Sequence, residues 1–175
     1  MEIKILGLID CDFVNYKEPS LTLMFPYCSF KCNKEAGKDI CHNSKLCKEP
    51  KIDISLDYVV QLYKENPITK AIVIQGLEPL DSYVQLIELI DRIRKEISDP
   101  IIIYTGYTED EVANGAYFTH EIKFSKERVK LWNQLKSYSN IIIKFGRYIE
   151  KSKSHYDEIL GVNLASYNQY AKYIN

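Results

Sequence analysis

Four short apolar runs punctuate the chain. "SLTLMF" (Ser20 to Phe25) is β-prone and ends at Pro26, and "AIVIQ" (Ala71 to Gln75) is continuous and β-branched, the pattern of a strand covered on both faces. "IIIYT" (Ile101 to Thr105) and "NIIIKF" (Asn140 to Phe145) repeat it. Between these runs the spacing becomes helical. In "SLDYVVQLYKEN" the residues Leu56, Val59, Val60 and Tyr63 stand at i, i+3, i+4 and i+7, with Ser55 as the N-cap and Pro67 as the stop. Asp81 to Lys95 and Ser125 to Lys136 carry two further helices. This alternation predicts a parallel α/β sheet joined by right-handed crossovers. No repeat, low-complexity tract or linker interrupts residues 1–175, so one domain is expected.

Composition narrows the function classes. Hydrophobic residues make up 46% of the chain, enough for a core, and 23 basic against 24 acidic residues leave a formal charge of −1. That balance gives no electrostatic case for nucleic acid as a partner. No apolar run approaches the ~20 residues that span a bilayer, so no membrane partner is expected. The opening "MEIKILGLIDCDF" lacks the apolar region and cleavage site of a signal peptide. A cytoplasmic location is therefore expected, where cysteines stay reduced and clustered ones bind metal or do chemistry. All five cysteines (Cys11, Cys28, Cys32, Cys41 and Cys47) lie in the first 47 residues.

In such sheets the working residues sit at the carboxyl ends of the strands. Four segments fall there: the cysteine loop, "QGLEPLD" (Gln75 to Asp81), "YTGYTEDE" (Tyr104 to Glu111) and "FGRYIE" (Phe145 to Glu150). Thiolates suit iron–sulfur clusters and zinc. Cys28, Cys32 and Cys41 form C-x3-C-x8-C, and three thiolates on a [4Fe–4S] cluster leave one iron open to a small molecule. A zinc site completed by Cys47 or His42 fits the same spacing. Cys11 reads as a bystander, and His120 and His155 as surface residues.

The order of the remaining motifs resembles the anaerobic ribonucleotide reductase activating proteins, small members of the radical S-adenosylmethionine superfamily. "DCDFVNYKEPSLTLMF" (Asp10 to Phe25) resembles that family's opening stretch and first strand, and "CHN" (Cys41 to Asn43) the end of its cysteine motif. "QGLEPLD" stands where the family has G-G-E-P-L, "YTGY" recurs directly, "FGRY" resembles D-G-R-[FY], and "LASYNQ" (Leu164 to Gln169) resembles the C-terminal S-x-N-Q. Three departures are evident. The superfamily's usual cysteine spacing is C-x3-C-x2-C, whereas eight residues separate Cys32 from Cys41 here. Leu77 replaces the second glycine, and Phe145 replaces the aspartate. The longer loop is expected to bulge outward, with Gly37 free to take positive φ.

The resemblance implies an incomplete, open parallel α/β barrel of the small radical S-adenosylmethionine type. It implies a [4Fe–4S] cluster on Cys28, Cys32 and Cys41, with S-adenosylmethionine bound against its open iron. Gly76 and Glu78 would lie by the methionine moiety, where a small residue admits close approach and a carboxylate accepts from an ammonium. Thr105 and Gly106 would lie on the same edge, and Asn43 near the adenosine. The implied reaction is reductive cleavage of S-adenosylmethionine to generate a glycyl radical on a partner, such as anaerobic ribonucleotide reductase, with flavodoxin or ferredoxin as electron donor. An open barrel leaves a side for that partner, and fourteen tyrosines suit an interface. The alternative from a different class is a non-catalytic Fe–S or zinc module for electron transfer or binding.

Overall fold

The computed structural model describes residues 1–119 and 122–175; His120 lies outside the described residues. Ten strands and five helices are distributed as the apolar runs dictate among these residues. Strands β1 (Glu2–Ile5) and β2 (Gly7–Asp12) precede β3 (Ser20–Phe25), and α1 (Lys31–Ala36) follows within the cysteine loop. A short 3-10 turn leads to β4 (Ile52–Ser55) and α2 (Leu56–Glu65). Then come β5 (Ala71–Gly76), α3 (Tyr83–Arg94), β6 (Ile101–Tyr104), α4 (Glu109–Ala113), α5 (Ser125–Leu135) and β7 (Ile141–Phe145). Strands β8 (His155–Asp157), β9 (Val162–Leu164) and β10 (Tyr170–Tyr173) complete the chain.

The main sheet has the order β10-β7-β6-β5-β3-β2. Its four central strands are parallel and stand side by side in chain order, flanked by antiparallel β2 and β10. Side chains alternate between the two faces of a strand. Ile72, Ile74, Ile101, Ile103, Ile141 and Ile143 therefore join Val59, Val60, Leu86, Ile90 and Trp132 from the helices in one large core. Val73, Ile102 and Ile142 face the other way, onto a smaller cluster with Tyr16, Leu160 and Leu164. Helices pack on one face of the sheet, and Tyr16 with the β8–β9 hairpin packs on the other. This one-sided arrangement leaves room for a cavity at the carboxyl ends of the strands.

Local details depart from the sequence expectation in three places. Ser55 occupies the N-cap of α2, but its side chain makes no capping bond. The cysteine loop forms α1 and ends at Gly37 with φ 66, so it folds into a helix instead of simply bulging. His155, expected simply at the surface, lies half-buried in β8. Among the described residues, no helix is long and apolar enough to cross a membrane.

Candidate functional site

Each parallel strand ends on the rim of one cavity. Cys28, Cys32, Cys41 and Asn43 line it from the loop after β3, and Gly76, Leu77 and Glu78 line it from the end of β5. Thr105 and Gly106 follow β6, while Lys144 and Arg147 come from β7 and its loop. All eight residues expected in the site share this space. Cys47 does not line it. Its exposed thiol donates to the Ser44 carbonyl at 2.9 Å, and Cys11 lies away on β2. His42 does line the cavity, with its ring 4.3 Å from that of Tyr148.

The thiols sit close to one another. Cys32 and Cys41 interact through their neighbouring thiols, and that interaction leads the causes that lower Cys41 to about 6 and raise Cys32. Burial pushes the Cys28 thiol up to about 12, with Glu78 adding to the effect. The Phe30 backbone N–H donates to the Cys28 sulfur at 3.2 Å, held there by a left-handed backbone at Phe30 (φ 52). Such a conformation is costly for a bulky residue and concentrates at functional sites. Among the described residues, no three His, Cys, Asp or Glu side chains converge on a point as ligands of a single ion would. A [4Fe–4S] cluster makes a different demand, since each thiolate binds its own iron and the thiols must border a common space. The three cysteines fit that demand, and a bound cluster would hold them as thiolates.

Beside Cys28 lies a buried acidic pair. Glu78 is 4% exposed, and its Oε1 accepts from Thr105 Oγ1 at 2.8 Å and Leu80 N at 3.2 Å. Its Oε2 accepts from Gly106 N at 2.8 Å. Burial, reinforced by Asp81, pushes Glu78 up to about 8. Asp81 accepts from Ser29 N and from the Tyr107 hydroxyl, the latter at 2.7 Å, and burial lifts it to about 6. Glu78 thereby ties the end of β5 to the turn after β6, and Asp81 ties the same segment to the cysteine loop. Gly76 has no room for a side chain, because a Cβ would stand 2.6 Å from Phe25 N. Its φ of 105 belongs to glycine, and its carbonyl accepts from Asn43 Nδ2 at 3.0 Å.

The two substituted positions resolve differently. Leu77 lines the cavity. Phe145 turns to the helical face, 6.4 Å from the Trp132 ring and 5.6 Å from that of Tyr170, so its apolar side chain joins the core.

Cations on the wall fall into two kinds. Arg147 donates to Glu111 at 2.6 and 3.0 Å, to Glu35 at 2.8 Å and to the Gly106 carbonyl at 3.2 Å, and Lys31 also pairs with Glu111. Burial alone would raise Glu111, but bonds from Arg147 and Lys31 outweigh it and hold the carboxyl down to about 2. Lys144 is different. It is buried, donates to the Gly146 carbonyl at 2.8 Å, and forms no salt bridge among those of the described residues. Burial pulls its amine down to about 8. Sequence reading passed over Lys144, although a single lysine inside "IIIKF" was the available signal.

The C-terminal "SYNQ" closes the far side. Ser166 Oγ accepts from Ile149 N at 2.8 Å, Asn168 Nδ2 donates to the Arg147 carbonyl at 2.9 Å, and Gln169 Nε2 donates to the Gly146 carbonyl at 3.2 Å. This segment clamps the turn after β7.

Three thiols, a buried acid and a buried amine line one cavity at the carboxyl edge of the sheet, the setting of a cluster-binding α/β domain. Consistent with that class, the family model for the 4Fe-4S single cluster domain matches residues 19–164, and the chain belongs to this family. The family occurs in radical S-adenosylmethionine-type proteins. No curated protein matches the chain.

Proposed function

We propose that the protein is a radical S-adenosylmethionine enzyme of the glycyl-radical-activating kind, built as an open parallel α/β barrel segment. The observation that carries this reading is the pairing within one cavity of three thiols, on Cys28, Cys32 and Cys41, with a buried acid and a buried amine, Glu78 and Lys144. When bound, the cluster and S-adenosylmethionine supply one-electron cleavage of a sulfonium bond, coupled to removal of a hydrogen atom from a glycine Cα of the partner. Flavodoxin or ferredoxin would supply the electron, and anaerobic ribonucleotide reductase is the partner that the motif order favours.

The chain's own residues bind and orient. Glu78 accepts from the methionine ammonium through the remaining lone pair of Oε2, and Lys144 donates to the methionine carboxylate. Gly76 lets the ligand approach the backbone, while Asn43, Thr105 and Gly106 fix the surrounding loops.

The direct test is anaerobic reconstitution with iron and sulfide, followed by reduction and measurement of methionine and 5′-deoxyadenosine. Cluster-dependent formation of both is expected. A fully loaded cluster that never cleaves S-adenosylmethionine would leave the non-catalytic Fe–S module as the better reading.

Lys144 adds a pH signature. Its amine is charged below about 8 and neutral above it, so its attraction for a carboxylate fades as pH rises from 7 to 9. Glu78 ionises over the same range and works in the opposite direction for the ammonium. Comparison with Lys144→Met isolates the lysine. At pH 7 this variant should bind S-adenosylmethionine roughly ten- to hundredfold more weakly, the size of one charge-assisted bond. The deficit should shrink toward pH 9. Equal affinity at both pH values would remove Lys144 from the site.

A further inference from the structure

The segment between Cys32 and Cys41 is six residues longer than the usual spacing, eight residues against two, yet both cysteines line the same cavity. The Asn33 side chain explains how. Its Oδ1 accepts from the backbone N–H of Ile40 at 3.0 Å and from that of Cys41 at 3.0 Å. The Cys32 thiol donates to the same oxygen at 3.7 Å. Asn33 Nδ2 donates to Asp39 at 2.9 Å, and Asp39 in turn accepts from Ser44 Oγ at 3.1 Å.

We infer that Asn33 is the positioning residue that makes the stretched spacing compatible with a cluster, by fastening Asn33 to Ile40–Cys41 and looping out Lys34 to Asp39. The two residues that it joins are those that would be neighbours without the six looped-out residues. Deletion of 34–39 leaves Cys32-Asn33-Ile40-Cys41, the usual C-x2-C. The excursion is folded rather than loose. It runs through α1, turns at Gly37, and is held against the β7 loop by Glu35–Arg147 and Lys38–Glu150. Those partly exposed pairs contribute little on their own. The asparagine bonds act on the backbone of a cluster ligand. This inference rests on the assignment of Cys28, Cys32 and Cys41 as ligands.

The test measures iron and sulfide content after reconstitution, the rate of iron release to a chelator, and thermal unfolding of the cluster-free chain. Asn33→Ala is expected to release iron at least about tenfold faster, the scale of two lost hydrogen bonds, with the cluster-free chain still unfolding cooperatively at a midpoint only slightly lowered, because Asn33 belongs to neither apolar cluster. The exchange Asn33→Asp with Asp39→Asn keeps both acceptor and donor and should restore wild-type release. In a chain lacking residues 34–39 the peptide bond does the work of the side chain, so Asn33→Ala should there have no effect. Wild-type release from Asn33→Ala in the full chain would overturn the inference. So would failure of the exchange variant, should Asn33→Ala prove unable to fold. Cys41→Ala separates the two levels: if it too keeps a full cluster, the ligand assignment falls, and the role of Asn33 falls with it. Loss in Cys41→Ala beside retention in Asn33→Ala overturns the role of Asn33 alone.

Discussion

Alanine at Cys28, Cys32 or Cys41 is expected to give a folded chain that takes up no intact cluster. None of the three belongs to either apolar core, and all line the cavity only partly buried. Their removal therefore leaves the packing of the sheet and helices unchanged, while a cluster left with two thiolates loses the donor set that it requires. Anaerobic reconstitution should yield no stable brown absorbance and little iron or sulfide. Cys11→Ala and Cys47→Ala should match the parent protein, since the first lies on β2 and the second points to a backbone carbonyl outside the cavity. A Cys47→Ala chain as empty as Cys41→Ala would replace the three-cysteine site with a four-thiolate one. Loading should also release protons, because the Cys28 thiol, lifted by burial to about 12, must enter as thiolate. Cluster assembly is therefore expected to become easier as pH rises.

How much of this was legible in the sequence depended on the length and depth of each element. The four parallel strands and α2, α3 and α5 appear where continuous apolar runs and helical spacing placed them, because each buries two or more side chains in the core. Strands β1, β2, β4, β8, β9 and β10 were not foreseen. They span three to six residues each and bury at most two side chains apiece, too few for a period to emerge. Helix α4 was missed despite its signature, Thr108 and Glu111 forming a capping box inside "TEDE". In the site, the residues of local motifs were legible. Those defined by depth, such as Lys144, or by a bond across a loop, such as Asn33, were not, since neither burial nor loop closure leaves a spacing to read. Phe145 shows the converse. Its position suggested a lost charge at the site, whereas strand alternation turns it into the core.

Glu78→Gln should separate the two roles of this carboxylate. Gln keeps the size and one acceptor, so bonds from Leu80 N and Thr105 Oγ1 can survive, but its NH2 would meet the Gly106 N–H donor to donor. One buried donor left unpaired costs about 1–3 kcal/mol, which chemical denaturation of the cluster-free chain at pH 5 to 6 should detect. The pH trend has a definite sign. Glu78 is held at about 8 when folded, above its ordinary value of 4.5. Between those values the folded state binds more protons than the unfolded one, so this group's contribution is complete at low pH and declines as pH rises through about 8. Gln has no such proton to lose, and its deficit against the parent protein should narrow toward pH 9. Ligand binding supplies the second readout. With the cluster intact, loss of a charge-assisted bond to the methionine ammonium should weaken S-adenosylmethionine binding roughly ten- to hundredfold. A variant with the stability deficit but parental affinity would confine Glu78 to holding Thr105 and Gly106 in place, and the ammonium would then need another acceptor on the cavity wall.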